Sequence, residues 1–188
     1  MPKKEDLRIT KTKKNLYEGL LTLMKDKTFE EVKVSDICAI SLTNRSTFYD
    51  HFTDKFELLD SLINDLEKRL IEKLKENTQL ASSKEYYMET IRLFFDHAEE
   101  NLNIYSSILK KNNNSILMDM VFDTLLIDVE NHIKKDAISL AIPSEIISKF
   151  YVSAVISICL NYIKNPHKYQ KEDILHYLDI LLPDKIYK

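Results

Sequence analysis

One glycine, four prolines, two cysteines and no tryptophan occur in 188 residues. Average usage would place about 13 glycines in a chain of this length. Hairpin turns, bulges and many-stranded sheets draw on glycine, so the count argues against an all-β fold. Phosphate-cradling loops such as G-x-G-x-x-G or the P-loop need several glycines, which excludes the common glycine-loop nucleotide enzymes. Cys38 and Cys159 match no metal spacing and form no disulfide framework. They read as reduced, buried apolar side chains of a cytoplasmic protein. The N-terminus is polar and unlike a signal peptide. The longest membrane-like uncharged run, Phe150 to Ile163, contains Ser and Asn. It falls short of the about 20 apolar residues that a spanning helix needs, so no membrane partner is expected.

What is present is charge, apolar periodicity and one dense motif. The net charge is -3, with apolar residues at 44%, enough for a sizeable core. The charge is unevenly placed: residues 1–55 carry 11 Lys+Arg against 9 Asp+Glu, residues 56–188 carry 16 against 21. The start of the chain, as far as Lys14, holds six basic side chains (Lys3, Lys4, Arg8, Lys11, Lys13 and Lys14) and two acidic ones. A basic N-terminal arm on an acidic remainder suits an anionic partner at one end only.

Apolar residues recur at helical spacing along the chain. Leu16, Gly19, Leu20, Leu23 and Met24 predict an amphipathic helix over about 10–26, with Thr10 or Thr12 as its N-cap. Gly19 in its middle predicts close approach by another helix. Two short helices follow, about 35–41 and 44–51, separated by Leu42 and Thr43, with Asn44 placed to cap the second. Short helices joined so tightly form a helix-turn-helix. A long helix begins near Lys55, bearing Leu58, Leu59, Leu62, Ile63, Leu66, Leu70 and Leu74. After a connector at 77–84, further stripes run through Tyr87–Leu102, Tyr105–Leu109, Met118–Ile133, 145–164 and Ile174–Leu182. The expectation is an all-α fold of about nine helices. Residues 1–55 form a helix-turn-helix domain, 55–75 a connecting helix, and 76–188 a helical regulatory and dimerisation domain.

The segment from Val34 to Leu59 carries the function. With Phe48 and Phe52 turned into the small domain, Asn44, Arg45, Ser46, Thr47, Tyr49 and His51 face outward. One guanidinium, several hydroxyls and an amide, with Asp50 the one acid, are groups that read base edges and hold phosphates.

This segment resembles the DNA-binding domain of the TetR/AcrR family of transcriptional regulators over residues about 7–60. The resemblance is densest in Asn44-Arg-Ser-Thr-Phe-Tyr-x-His-Phe-x-x-Lys55 followed by Leu58-Leu59. It is most similar to the branch common in low-GC Gram-positive bacteria. It implies a sequence-specific regulator, a repressor released from its operator by a small molecule. Arg45, Ser46 and Thr47 would face bases, with Asn44 at the mouth of the helix. Tyr49, His51 and Lys55 would contact phosphates, Thr10 and Lys11 would hold the far backbone strand, and Ser35 joins the DNA-binding set. The family has glycine in the turn where this chain has Leu42, a departure bearing on the angle of the second helix.

Other signals are weaker. Phe94, Phe95, Tyr105, Met118, Phe122, Phe150 and Tyr151 line a ligand cavity or are plain core. The 150–163 helix with its 174–182 neighbour is either the centre of a monomer core or half of a four-helix dimer interface. The resemblance favours the dimer, with Ala154, Ser157, Ile158, Leu178 and Leu181 at the interface. Glu172, Asp173 and His176 make one half of a di-iron pattern that needs two. No metal, no cofactor and no catalytic set is therefore expected. The partners are a pseudo-palindromic duplex operator, a second copy of the chain and a small-molecule effector. The rival readings are a helical ligand-binding or enzymatic bundle that binds no DNA, and an activator of the same fold.

Overall fold

The computed structural model describes residues 4–77, 83–112, 116–136 and 142–182. The connector at 78–82, the end of the triple asparagine at 113–115, the loop at 137–141 and the residues from Pro183 onward lie outside the described residues, as does the side chain of His132. Nine helices and no strands occur among the described residues: α1 (Lys4–Leu23), α2 (Val34–Ile40), α3 (Arg45–Tyr49), α4 (Lys55–Asn77), α5 (Ser83–Glu100), α6 (Leu102–Asn112), α7 (Ile116–Asp136), α8 (Ser144–Lys164) and α9 (Lys171–Leu181). The all-α expectation holds.

They divide into two compact units: residues 1–65 with 106–120, and residues 66–105 with 121–188. The division falls inside α4, past the expected boundary at Lys55, and residues 106–120 join the first unit rather than the second.

In the first unit, α1 starts earlier than the apolar stripe predicts. Lys, Glu, Leu and Arg at 4–8 are good helix formers, and the acids at positions 5 and 6 suit a helix N-terminus. Thr10 and Thr12 therefore lie inside the helix and do not cap it. Leu16, Leu20 and Met24 are fully buried. A Cβ at Gly19 would stand 3.2 Å from the Ser41 Cβ and 3.3 Å from the Ile37 carbonyl oxygen, so α2 crosses α1 at the glycine, as expected. Tyr17 ties α1 to α4: its hydroxyl donates to the Asp65 carboxylate at 2.8 Å and lies 2.8 Å from the Ser61 hydroxyl.

A side chain far along the sequence completes this unit. Asn112, the last residue of α6, is fully buried. Its Oδ1 accepts the Phe29 backbone N–H at 2.7 Å, and its Nδ2 donates to the carbonyls of Met24 and Lys27 (3.3 and 3.4 Å) and of Ile108 (3.0 Å). The Met24 and Lys27 carbonyls lie in the turn that follows α1, where no helix continues to supply their donors. The asparagine supplies one from a distant part of the sequence.

In the second unit, α5 runs antiparallel to α9. Lys84 near the start of α5 pairs with Asp179 at 3.2 Å, and Lys171 at the start of α9 reaches Asp96 and Glu99, both at 2.8 Å. The Tyr162 hydroxyl from α8 donates to the same Glu99, and its ring meets Phe95 edge-on at 5.0 Å between centroids. Lys171 and Tyr162 hold the Glu99 carboxyl below its ordinary value, while the two carboxylates raise Lys171. On α8 one face (Ile147, Val152, Cys159, Tyr162 and Ile163) is buried. The opposite face carries Ile146, Phe150, Ser153, Ala154, Ser157 and Asn161 in the open. The apolar residues of α8 thus point both inward and outward.

Candidate DNA-recognition surface

The recognition segment is assembled by two phenylalanines and a terminated helix. Phe48 of α3 and Phe52 just beyond it are buried, their rings 5.9 Å apart, and Phe52 lies 6.5 Å from the Tyr17 ring of α1. The Lys13 ammonium covers the Phe52 ring at 5.6 Å. Downstream, the Asp54 side chain accepts the N–H groups of Phe56 and Glu57 (2.8 and 2.9 Å), and Glu57 reaches back to the Thr53 N–H and hydroxyl (2.6 and 2.7 Å). This is an N-cap with a reciprocal acid, the device that fixes the direction from which a chain enters a helix. It sets α4 against the end of α3.

Upstream, α2 ends at Ile40 with Ser41 as its C-cap, and Leu42 follows with φ 52°. The Thr43 N–H donates to the Cys38 carbonyl at 3.0 Å and the Leu42 N–H to the Ala39 carbonyl at 3.4 Å. This is the Schellman closure, which demands a left-handed residue and ordinarily uses glycine. Here a leucine occupies it, at a cost of about 1–2 kcal/mol for the Cβ. The turn therefore keeps the glycine geometry without the glycine, at the expense of strain.

On the surface so held, Asn44, Arg45, Ser46 and Tyr49 are exposed, and Thr47 and His51 are half-buried. Asn44 takes the N-cap position with extended backbone, but its side chain makes no capping bond, which leaves the amide facing solvent. Tyr49, 58% exposed, is braced edge-on against Phe48 at 5.4 Å. An aromatic donor braced in this way can meet a groove with little further loss of side-chain entropy. Thr10 and Lys11 are exposed in the second turn of α1, and Ser35, half-buried, donates to Asp36 at 3.4 Å.

Lys55 behaves differently from its sequence expectation. Its ammonium donates to the carbonyls of Phe29, Glu30 and Val32, each at 2.8 Å, and sits 4.9 Å from the Phe29 ring. Partial burial lowers its pKa. A lysine has three donors, and all three are used on the 29–32 turn. The structure places Lys55 as a clamp of that turn, with no donor left for a phosphate.

The seven aromatic and methionine residues expected around a ligand differ in burial and in the unit they belong to. Phe95 is plain core, Phe150 is 69% exposed, and Met118 belongs to the first unit while the others belong to the second. Phe94, Tyr105, Phe122 and Tyr151 remain half-buried. His97 and the Tyr105 hydroxyl are 2.7 Å apart. Burial, then the nearby Arg69, lowers the His97 pKa, and burial pushes Tyr105 up to about 12. Of the expected interface residues, Ala154, Ser157 and Leu181 are exposed and Ile158 is half-buried. Leu178, 3% exposed, is core of its own protomer; every third or fourth residue of α9 turns inward, and Leu178 falls on that side with Ile174 and Leu175. The burial of both cysteines is as expected, and burial pushes the Cys159 thiol up to about 12. Among the described residues no group of three or more His, Cys, Asp or Glu side chains is placed to hold a metal ion.

Residues 85–184 match the family TetR_C_8, described as the transcriptional regulator C-terminal region. The chain belongs to the TetR family of transcriptional regulators. A stretch of 62 residues is 36% identical to the uncharacterized HTH-type transcriptional regulator YxbF of Bacillus subtilis (strain 168). That alignment spans 32% of this chain but only 16% of YxbF. A TetR transcriptional regulator from Streptococcus agalactiae 2603V shares the fold at a TM-score of 0.67 and 22% identity, with 98% of each chain covered. The dihydroxyacetone kinase operon activator DhaS shares it at 0.56 and 21%, covering 94% of this chain and 98% of its own. Within this TetR-family fold, sequence reasoning missed two structural side chains. Lys55 stands in the sequence as a phosphate ligand and Asn112 in no apolar stripe; their partners between Met24 and Val32 lie too far away in sequence for any local spacing to signal them.

Proposed function

We propose that this TetR-family chain is a cytoplasmic regulator that binds duplex DNA sequence-specifically as a homodimer and represses until a small molecule releases it. The observation that carries the reading is the exposed set Asn44, Arg45, Ser46 and Tyr49, held out by the buried pair Phe48 and Phe52. Arg45 pairs with a guanine edge, Asn44, Ser46 and Thr47 with neighbouring edges, and Tyr49, His51, Thr10 and Lys11 with phosphates. Ser35 stands at the margin of this surface.

A helix as short as α3, Arg45–Tyr49, spans under two turns and reaches few base pairs. Two such helices about 34–36 Å apart read successive turns of one groove face. The second copy is supported by the open apolar face of Ile146, Phe150 and Ala154 on α8 with Tyr177, Ile180 and Leu181 on α9. Exposed apolar patches of this kind mark interaction surfaces. The effector is supported by apolar stripes that stay half-exposed in the second unit, Leu66 and Leu70 of α4, Ile91 and Phe94 of α5, and Leu125 and Leu126 of α7, beside the polar His97–Tyr105 pair. A small, mostly apolar molecule with one polar group suits such a lining.

The test is selection of bound duplexes from a random pool at stated salt. A pseudo-palindrome with half-sites about one helical turn apart is expected; a pool without enrichment refutes the reading. The direction of control follows from a promoter fusion carrying the selected operator. Expression that rises when the regulator is deleted supports repression, and expression that falls identifies an activator.

A further inference from the structure

Leu42 is the one non-glycine residue with positive φ among the described residues, and it is 94% exposed. These two facts conflict. A strained leucine is tolerable when its side chain packs, since burial of the side chain offsets the backbone cost. This one packs against nothing in its own chain. Glycine or asparagine would satisfy the Schellman closure with little or no strain, and neither is there. Residues held in such conformations without internal compensation cluster where a protein meets a ligand. The location is specific. Leu42 stands two residues before Asn44, the N-cap of α3, and Ile40, the last residue of α2, is exposed beside it. Recognition helices enter the major groove N-terminus first, so a residue just ahead of that terminus is carried toward the base edges along with Asn44 and Arg45. An exposed branched aliphatic side chain has one partner of matching chemistry there, the C5-methyl group of thymine.

We propose that Leu42 is a specificity-determining residue that reads a thymine methyl in each half-site, next to the bases read by the start of α3. The proposal rests on the DNA-binding reading above. It adds an apolar contact to an otherwise polar set, and it explains why the turn retains a strained leucine.

The test pairs a chemical deletion on the DNA with one on the protein. The selected operator duplex is resynthesised with deoxyuridine replacing each thymine in turn, symmetrically in both half-sites, so that only a methyl group is lost. Binding is measured for the wild-type chain, Leu42→Gly and Leu42→Asn, with circular dichroism as the check on folding. For the wild type, one thymine position is expected to stand out. Its loss weakens binding about fourfold per half-site, or roughly 15-fold for the duplex, the value of one buried methyl-sized group. Both variants bind the unmodified operator more weakly by a similar factor and become indifferent to deoxyuridine at that position. Leu42→Gly also unfolds about 2–4 °C higher as the strain is released. A deoxyuridine profile in the variants that matches the wild type overturns the proposal. So does operator affinity unchanged in both variants, and so does a wild-type profile with no sensitive thymine. Failure of the wild type to select any duplex overturns the DNA-binding reading itself, a result distinct from these three.

Discussion

Replacing Asn112 with alanine isolates the contact that binds residues 106–112 to the N-terminal helices. The side chain is fully buried and spans four backbone groups. Its removal leaves the buried Phe29 N–H without an acceptor, which costs about 1–3 kcal/mol. The Met24 and Lys27 carbonyls lose a donor, at about 0.5–1.5 kcal/mol each. Because the variant also leaves a small void, the expected total is about 3–5 kcal/mol. For a chain of this size the thermal midpoint should fall by about 6–20 °C. Urea unfolding followed by circular dichroism measures it. Asn112→Asp sharpens the assay, because it keeps an acceptor for Phe29 but sets a carboxylate against three carbonyl oxygens. Repulsion and burial raise that acid's pKa in the folded state, so its stability deficit is largest near neutrality. The deficit shrinks as pH falls toward the ordinary aspartate value of about 4, where the acid carries a proton to donate. An alanine variant within about 1 kcal/mol of wild type, or an aspartate variant whose deficit does not depend on pH, would refute the reasoning.

Lys55→Met should lower stability by about 2–3 kcal/mol, since three charge-assisted bonds are lost from a part-solvated turn, and should leave the salt slope of DNA binding unchanged. A slope that falls by about 0.9 per phosphate released, at unchanged stability, would instead make it a phosphate ligand. Phe150→Glu, on an open face, should give a folded monomer by sedimentation, whereas Leu178→Glu, in the protomer core, should unfold the chain; a dimeric Phe150→Glu removes that face from the interface. His97 has a lowered folded pKa, so its contribution is fully present above the unfolded value near 6.5 and is lost as pH falls through the folded value. The wild-type thermal midpoint should therefore decline between about pH 7 and 5 more steeply than that of His97→Gln, and parallel profiles would contradict it.

The periodic apolar stripes made the nine helices of the described residues legible, because side chains three and four apart share a face whatever the rest of the chain does. Gly19 was legible for a similar reason: a helix tolerates a glycine at a cost, and close contact with α2 explains it. The turn at Leu42 was half-legible. The sequence marks the departure from glycine, but only the backbone decides between strain and a different turn. Periodicity could not find the Asn112 and Lys55 contacts. Both are polar side chains whose partners are backbone groups far away in the sequence, and backbone groups carry no sequence signature. The division of α8 and α9 into inner and outer faces was hidden for the opposite reason. Nearly every residue of α8 between Phe150 and Ile163 is apolar or small, so hydrophobicity has no phase there. Leu178 and Phe150 could be placed only once the neighbouring helices were in position.

The central claim is that the start of α3 reads bases, and the most direct measurement compares the duplexes selected from one random pool, at one stated salt concentration, by the wild type and by Arg45→Ala. A bidentate arginine–guanine pair is worth about 1–3 kcal/mol of discrimination. The account predicts a symmetric pair of half-sites for the wild type, and for the variant the same pair with preference lost at one guanine in each half. Identical preferences in both pools, or no enrichment in either, would contradict it.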